Sequence, residues 1–600
     1  MNDSTALARA LVSALLGAGV RHAVISPGSR SAPLAYALAA ADAAGALTAH
    51  VRIDERDAAF LALGIAKGER AAGRPPAPVA VVTTSGSAVA NLHPAALEAA
   101  YAHLPLLLLT ADRPARLRGT GANQTLDAQH RALPEVRAAL DVPAGTPGSA
   151  AEALVAQALT AALGTGLAAG RPPGPVQLNV QFDVPLEPTA DDPPFAVAVP
   201  AVQAGVPGAP VGASAAPVGA SAALDAGFLT APRERAVILA GDAFGWSAAR
   251  AAAFADATGL PVLAEPTSAL RELPGAVPAH AEVLAAHPEL TAEIRTVFSF
   301  GKVTLFRPDA RLLAAPGVAV HRIQADLDAV SPGAWEEAWQ AAGAAAGLAP
   351  DAVGLRWAER WRAAGAPQSA DPAEQDGDQR EQGTGLPRAA QPARTEQPER
   401  TEQEEPAAAR PAAEPQPGAP RPLDPAAAVR AIAAAGGELF AASSSAVRYL
   451  DRVPTSGVRL HASRGLAGID GLISTAAGTA MGLGLDPELD APLRLVIGDV
   501  AALHDVGGLL RESGEAPPHL QVFVLNDDGG AIFAGLEHGQ PHLRPFFDRY
   551  FGTRHGRTFE HLARAYGWHY ERCADAAAIA SAAAAGRPGV YEIPLPPVGG

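Results

Sequence analysis

The sequence predicts an α/β protein of three doubly wound, parallel-sheet domains. Three observations carry that prediction. Short continuous apolar runs at 79–82, 106–109, 236–240, 495–497 and 522–525 read as strands covered on both faces. Segments of helical period lie between them, the alternation that builds crossover connections. Two stretches poor in large apolar residues, 200–223 and 366–424, divide the 600 residues into pieces near the usual domain size of about 150 residues.

The first domain is placed at 1–186. Ser4 is a candidate cap for a helix whose apolar stripe runs Leu7, Leu11 and Leu15, with Gly17 and Gly19 closing it. A strand at 23–25 leads into the turn Pro27-Gly28-Ser29-Arg30-Ser31. After a second helix, a strand ends near Ile53, and Asp54 caps a helix carrying Phe60, Leu63 and Ile65. Strands at 79–82, 106–109 and 176–180 complete the domain. The central α/β domain, 187–365, has strands at 236–240, 297–300 and 318–323. It begins with the low-complexity segment 200–223, in which 209–215 and 216–222 are an exact tandem repeat. That period is too short for a solenoid and reads as a linker. Residues 366–424, dense in Pro, Glu, Gln and Arg, read as a disordered linker. The third domain, 425–600, has strands at 439–442, 495–497, 520–525 and 590–593.

Charge narrows the function classes. The chain has 46 basic and 62 acidic residues, net −16. A general nucleic-acid or anionic-membrane binder carries the opposite excess, so anionic ligands must be met by a few placed arginines. Cys573 is the single cysteine, which excludes an intrachain disulfide and a cysteine-based zinc site. There is no apolar run of about 18 residues and no charged-then-apolar N-terminal pattern, so a cytoplasmic protein without membrane insertion is expected.

The strongest chemical signal lies in the third domain. One buried run ends in Gly498-Asp499 and the next in Asn526-Asp527-Asp528-Gly529-Gly530. Acidic, glycine-bearing loops after adjacent parallel strands put hard oxygens at the sheet edge where α/β folds bind ligands. Such oxygens suit Mg²⁺, which borrows further ligands from phosphate. Each aspartate alone is equally readable as a helix cap. In the first domain Glu55, in Asp54-Glu55-Arg56, follows a strand; on local grounds it is a helix-start acid favoured by the dipole.

Together these loops resemble the thiamine diphosphate signature, Gly-Asp-Gly followed after a spacer by Asn-Asn. Val500 stands where the signature has its last glycine, and Asp527 where it has the second asparagine, adding a negative charge. The remaining motifs are Ile25-Ser-Pro-Gly-Ser-Arg-Ser31, Thr84-Ser-Gly-Ser-Ala-Val-Ala-Asn91, Thr110-Ala-Asp-Arg-Pro114, Gly121-Ala-Asn-Gln-Thr125, Ser463-Arg-Gly-Leu-Ala-Gly-Ile-Asp-Gly471 and Gly529-Gly-Ala-Ile-Phe533. With Asp54-Glu-Arg56 they resemble the 2-succinyl-5-enolpyruvyl-6-hydroxy-3-cyclohexene-1-carboxylate (SEPHCHC) synthase family of thiamine diphosphate enzymes. The resemblance spans both outer domains and is weak through the middle one.

That resemblance implies a transferase of menaquinone biosynthesis with the three-domain thiamine-enzyme fold: a pyrimidine-binding, a central and a diphosphate-binding domain. It would decarboxylate 2-oxoglutarate and add the resulting carbanion to isochorismate in a 1,4 sense. The cofactors implied are thiamine diphosphate and Mg²⁺, with Mn²⁺ as an alternative. Asp499, Asp527 and the carbonyl of Gly529 are the implied metal ligands. Glu55 is the implied catalytic acid, sharing a proton with the aminopyrimidine ring, a role that burial would favour. Ser85, Gly86, Gly498 and Ile469 complete the implied cofactor site, Ile469 wedging the cofactor into its bent shape.

Both substrates are dianions, and each carboxylate calls for a local arginine. The resemblance assigns Ser29, Arg30, Arg113, Asn123, Gln124, Ser444, Arg448 and Arg464 to the substrate pocket. It adds Lys302 from the middle domain and Ile532, Phe533 and Leu536 as apolar walls, which are as readily core. Lys302 is one of only two lysines; the other, Lys67, reads as structural near a helix end. Val303 follows Lys302 where some relatives have a second basic residue, and Arg307 is a candidate substitute. His538 and His542 are no zinc pair, since Gly539 and Pro541 break the helix their spacing needs. A homodimer or homotetramer is implied, with the first domain of one subunit facing the third of another. Another thiamine enzyme such as an acetolactate synthase is the nearest alternative; its pyruvate substrate has less carboxylate to hold.

Overall fold

The computed structural model describes residues 1–165, 172–197, 227–243, 245–323, 336–341, 348–366 and 423–597. The segment 200–223 and nearly all of 366–424 lie outside the described residues. Three parallel sheets form. The first has six strands in the order β2-β1-β3-β4-β6-β5: His22–Ile25 (β1), Thr48–Val51 (β2), Val79–Thr83 (β3), Leu106–Asp112 (β4), Ala139–Val142 (β5) and Pro175–Gln181 (β6). The second has four, β10-β9-β7-β8: Ala236–Ala240 (β7), Val262–Ala264 (β8), Thr296–Phe300 (β9) and Ala319–Arg322 (β10). The third repeats the first: β12-β11-β13-β14-β16-β15, from Gly437–Ala441 (β11), Val458–Ala462 (β12), Leu493–Gly498 (β13), Leu520–Asn526 (β14), Tyr570–Arg572 (β15) and Gly589–Pro594 (β16).

Each predicted strand is present. The four that sequence reading missed, β5, β8, β12 and β15, all lie at sheet edges. Edge strands are short, β8 being three buried residues, and others need no continuous apolar run; Tyr570–Arg572, for example, is half-buried to exposed throughout. The first helix, Asp3–Gly17, is capped by Asn2, whose side chain accepts from the Thr5 N–H at 2.8 Å. Ser4, the predicted cap, is buried one residue inside and donates to the Asp183 carbonyl at 2.6 Å.

One hydrophobic core runs unbroken through the first and third sheets. It is joined by two helices in equivalent places, Glu55–Ala71 after β2 and Leu472–Leu483 after β12. They pack backbone against backbone. A Cβ on Gly64 would lie 2.1 Å from the Thr475 carbonyl oxygen, and one on Gly68 2.3 Å from that of Thr479. In return, Cβ atoms on Gly478 and Gly482 would each lie 2.1 Å from the carbonyl oxygens of Leu61 and Ile65. Only glycine allows this approach. All three sheets belong to one compact unit, Met1–Gly365 with Pro422–Gly599.

Candidate active site

Apart from Lys302, which follows β9 of the second sheet, the predicted site residues lie in loops at the carboxyl ends of equivalent strands in the first and third sheets. After β1, Ser29 is exposed and Arg30 half-buried, its guanidinium donating to the Phe182 carbonyl at 2.8 Å. The turn is pressed onto the next loop: a Cβ on Gly28 would lie 2.4 Å from that of Thr84. After β3, Ser85 donates to the Gln124 carbonyl at 2.8 Å, and Gln124 returns a bond from its amide to the Ser85 carbonyl at 3.0 Å. Gly86, at φ +78°, offers its N–H to the buried Gln129 at 3.0 Å. After β4, Arg113 donates to Ser85 Oγ at 2.8 Å and to the Gln124 carbonyl at 2.9 Å. Asn123 and Gln124 are exposed, and Gln124 takes φ +54°. Burial, and next the charge of Arg113, depress the pKa of Arg30. The two guanidiniums therefore face one region.

After β2, Asp54 caps its helix as predicted, accepting from the Arg56 N–H at 2.8 Å. Glu55 accepts from Asn91 Nδ2 at 3.0 Å. It is half-buried rather than enclosed, and its neighbour Ile53 is 72% exposed. Among the described residues, no hydrogen bond or ion pair joins Glu55 to Asp499, Asp527 or Gly529. The contact falls to its neighbour: Arg56 donates to the His504 carbonyl at 3.0 Å, on the helix that Asp499 begins, and lies 3.9 Å from Asp470, beside Ile469. Ile469 is half-buried against the shared core.

The third sheet brings its acids together. Asp499, following Gly498 at the end of β13, is 2% exposed. Its carboxylate accepts from the Val500 N–H (2.6 Å), the Gly529 N–H (2.9 Å) and His555 Nε2 (3.0 Å). Val500 continues the helix. Burial raises the Asp499 pKa; burial and then Asp499 itself push Asp527 up to about 7. Two carboxyl groups crowded at one sheet edge are what a divalent cation relieves. The loop turns on glycine: Gly529 takes φ +142°, and a Cβ there would lie 2.1 Å from the Gly552 carbonyl oxygen. Among the described residues no three His, Cys, Asp or Glu side chains cluster as a metal site. Two neighbouring carboxyl groups beside a glycine loop fit a hard divalent ion.

On the same side, Ser444 adopts φ +74°, a conformation that strains any residue but glycine and is held by its surroundings. Its carbonyl accepts from Arg448 at 2.6 Å. Arg464 is 3% exposed and donates to Thr304 Oγ1. Lys302 does not point into open space. It donates to the Gly465 carbonyl and lies 5.2 Å over the Tyr101 ring. Arg307 pairs with Glu537 at 2.5 and 2.8 Å. Ile532, Phe533 and Leu536 are half-buried, not core, with Phe533 against Phe551 at 5.9 Å. His538 and His542 fall in separate short turns, Glu537–Gly539 and Pro541–Leu543.

Residues 5–131 match the family model "Thiamine pyrophosphate enzyme, N-terminal TPP binding domain". The chain is 41% identical over 99% of its length, and 96% of the relative's, to 2-succinyl-5-enolpyruvyl-6-hydroxy-3-cyclohexene-1-carboxylate synthase of Kineococcus radiotolerans. The chain belongs to the SEPHCHC synthase family. Its counterpart in Paenarthrobacter aurescens is 39% identical over 96% of this chain and 91% of the relative. The crystal structure of benzoylformate decarboxylase from Polynucleobacter necessarius superposes with TM-score 0.60 over 99% of this chain and 98% of that one, at 15% identity, so the fold is shared.

Several buried charged groups of this SEPHCHC synthase family member escaped sequence reading. Glu98, 5% exposed, accepts from the N–H groups of Gly465 and Leu466 at 2.7 and 2.6 Å, pinning the Arg464 loop to the first domain. Its signal was a lone acid on the alanine face of its helix, beside Ala95 and Ala99. Lys67 is not a solvated helix-end cation: it is 4% exposed, and burial lowers its pKa to about 8. Asp57 and Asp505 form a buried carboxyl pair between the first and third domains, 2% and 0% exposed, with Arg56 at 3.4 and 3.7 Å. Nothing local distinguishes these from surface acids. No helix among the described residues is long and apolar enough to cross a membrane.

Proposed function

We propose that this chain catalyses the thiamine diphosphate- and Mg²⁺-dependent decarboxylation of 2-oxoglutarate and the 1,4-addition of the resulting carbanion to isochorismate, yielding SEPHCHC for menaquinone biosynthesis in the cytoplasm. The observation that carries it is two pairs of arginines, Arg30 with Arg113 and Arg448 with Arg464. Burial and then the charge of Arg113 lower the pKa of Arg30, burial and then the charge of Arg464 lower that of Arg448, and among the described residues none of the four forms a salt bridge. Guanidiniums held near one another and left without an ion-pair partner suit dianionic substrates. An acetolactate synthase has no need for four.

Bound thiamine diphosphate supplies an electron sink for the decarboxylation. Asp499, Asp527 and the Gly529 carbonyl would hold Mg²⁺ and, through it, the diphosphate. The Glu55 carboxyl would share a proton with the aminopyrimidine ring. Ser444 holds Arg448 by its carbonyl, and Ser85 with Gln124 holds Arg113. Ile532, Phe533 and Leu536 shield the acceptor from water.

The working site is completed across a subunit seam, in a homodimer or homotetramer. Half-buried Glu55 two residues after exposed Ile53 supports this, as does Leu466, 51% exposed two residues after Arg464. A coupled assay with 2-oxoglutarate and isochorismate, with pyruvate as the control donor, tests the reaction; equal turnover of pyruvate would refute it. Mixing inactive Glu55→Gln and Asp499→Ala proteins tests the seam. Exchange of subunits restores activity if the site is shared, and no recovery after verified exchange places the site within one chain.

A further inference from the structure

Glu265 follows β8 in the middle domain, far in sequence from every site motif, and is 0% exposed. Its Oε1 accepts two consecutive backbone N–H groups, those of Thr304 (at 2.7 Å) and Leu305. Its Oε2 is buried without a hydrogen-bond partner. A carboxyl group kept in so costly a place asks for a reason.

The dipeptide it holds supplies one. Thr304 Oγ1 accepts from Arg464, and the Leu305 carbonyl accepts from Arg448 at 3.1 Å. Two residues earlier, Lys302 reaches the carbonyl of Gly465, the residue after Arg464. One oxygen of Glu265 thus anchors a two-residue bridge that receives both arginines of the third-domain pair. Arg464 and Arg448 also lie within electrostatic reach of the carboxylate.

We propose that Glu265 is a positioning residue for Arg448 and Arg464, acting through the Thr304–Leu305 backbone it anchors. The inference rests on the reading that these two arginines hold substrate carboxylates. It predicts a binding defect rather than a chemical one, because Glu265 touches neither arginine by hydrogen bond and stands behind them.

The test measures KM for 2-oxoglutarate and isochorismate separately, kcat, and thiamine diphosphate affinity by calorimetry. Glu265→Ala is expected to raise KM for at least one substrate by about tenfold, the scale of one lost charge-assisted contact. Its kcat and cofactor affinity should stay near wild type. Glu265→Gln keeps an acceptor oxygen for both N–H groups and should restore most of the loss. Thr304→Val removes only the acceptor of Arg464 and should also raise KM, which keeps the test alive if Glu265→Ala does not fold. Wild-type KM in Glu265→Ala and Thr304→Val, or a Gln variant as impaired as Ala, overturns the proposal. Arg448→Gln and Arg464→Gln separate the two levels. If they raise KM while Glu265→Ala does not, the positioning role alone falls. If they leave KM unchanged, the substrate-pocket reading falls with it.

Discussion

The first and third sheets share one strand order and use their edges differently. In the first, the loops after β1, β3 and β4 carry amides and arginines, and the single candidate acid, Glu55, stands after β2. In the third, the loops after β13 and β14 carry Asp499 and Asp527, while the arginines follow β11 and β12. The scaffold fixes where side chains emerge, at strand ends, and the loops decide what chemistry they offer. In the proposed reading the first sheet would supply the ring-activating acid and the third the metal and diphosphate ligands, with arginines from both meeting the substrate carboxylates.

The most severe break removes one acid from each copy. Glu55→Gln should lower turnover by roughly 10²–10⁴-fold, the worth of a positioned acid–base group, while Mg²⁺-dependent cofactor binding persists in calorimetry. Asp499→Ala should abolish that binding. Similar cofactor affinity in the two variants would erase the division of labour.

A second break attacks the packing that joins the copies. Gly64→Ala places a methyl against the Thr475 carbonyl, where no side chain can swing aside. Overpacking of this kind costs about 1–3 kcal/mol, read as a lower midpoint in thermal or urea unfolding. An unchanged midpoint would mean that the helices separate at no cost.

The smallest effect sharpens the comparison where the two domains meet within the chain. Burial raises the pKa of both Asp57 and Asp505. For acids whose folded-state pKa is raised, the unfolded chain releases its protons first, so stability falls as pH climbs from the ordinary carboxylate range towards the raised values. Asp57→Asn keeps a hydrogen-bonding group and removes one charge. It should raise the melting temperature at pH 8 by about 2–4 °C and flatten its decline between pH 5 and 8. A steeper decline would show that the pair stabilises as charges.

Much of the site was legible before the fold. Gly498-Asp499, Asn526-Asp527 and Asp54-Glu55 are local patterns, each a strand followed by a functional loop, and each lies at a strand end as read. Edge strands such as β15 were not legible, because half-exposed residues leave no apolar run. Nor was the direction of Lys302, which reaches the Gly465 carbonyl because that loop is pinned by Glu98 from another domain.

By itself the sequence determined the strand-and-loop alphabet: buried parallel strands, the acids and arginines at their ends, and the family to which they belong. Those features depend on neighbours a few residues apart, where apolar runs and caps act directly. Only the tertiary structure decided which distant loops meet. The fit of Gly64 against Thr475, the shared burial of Asp57 with Asp505, and the anchoring of Thr304 and Leu305 by Glu265 join residues far apart in the chain. No local pattern records such pairs, since their energy comes from burial and close approach that exist only once the core has closed.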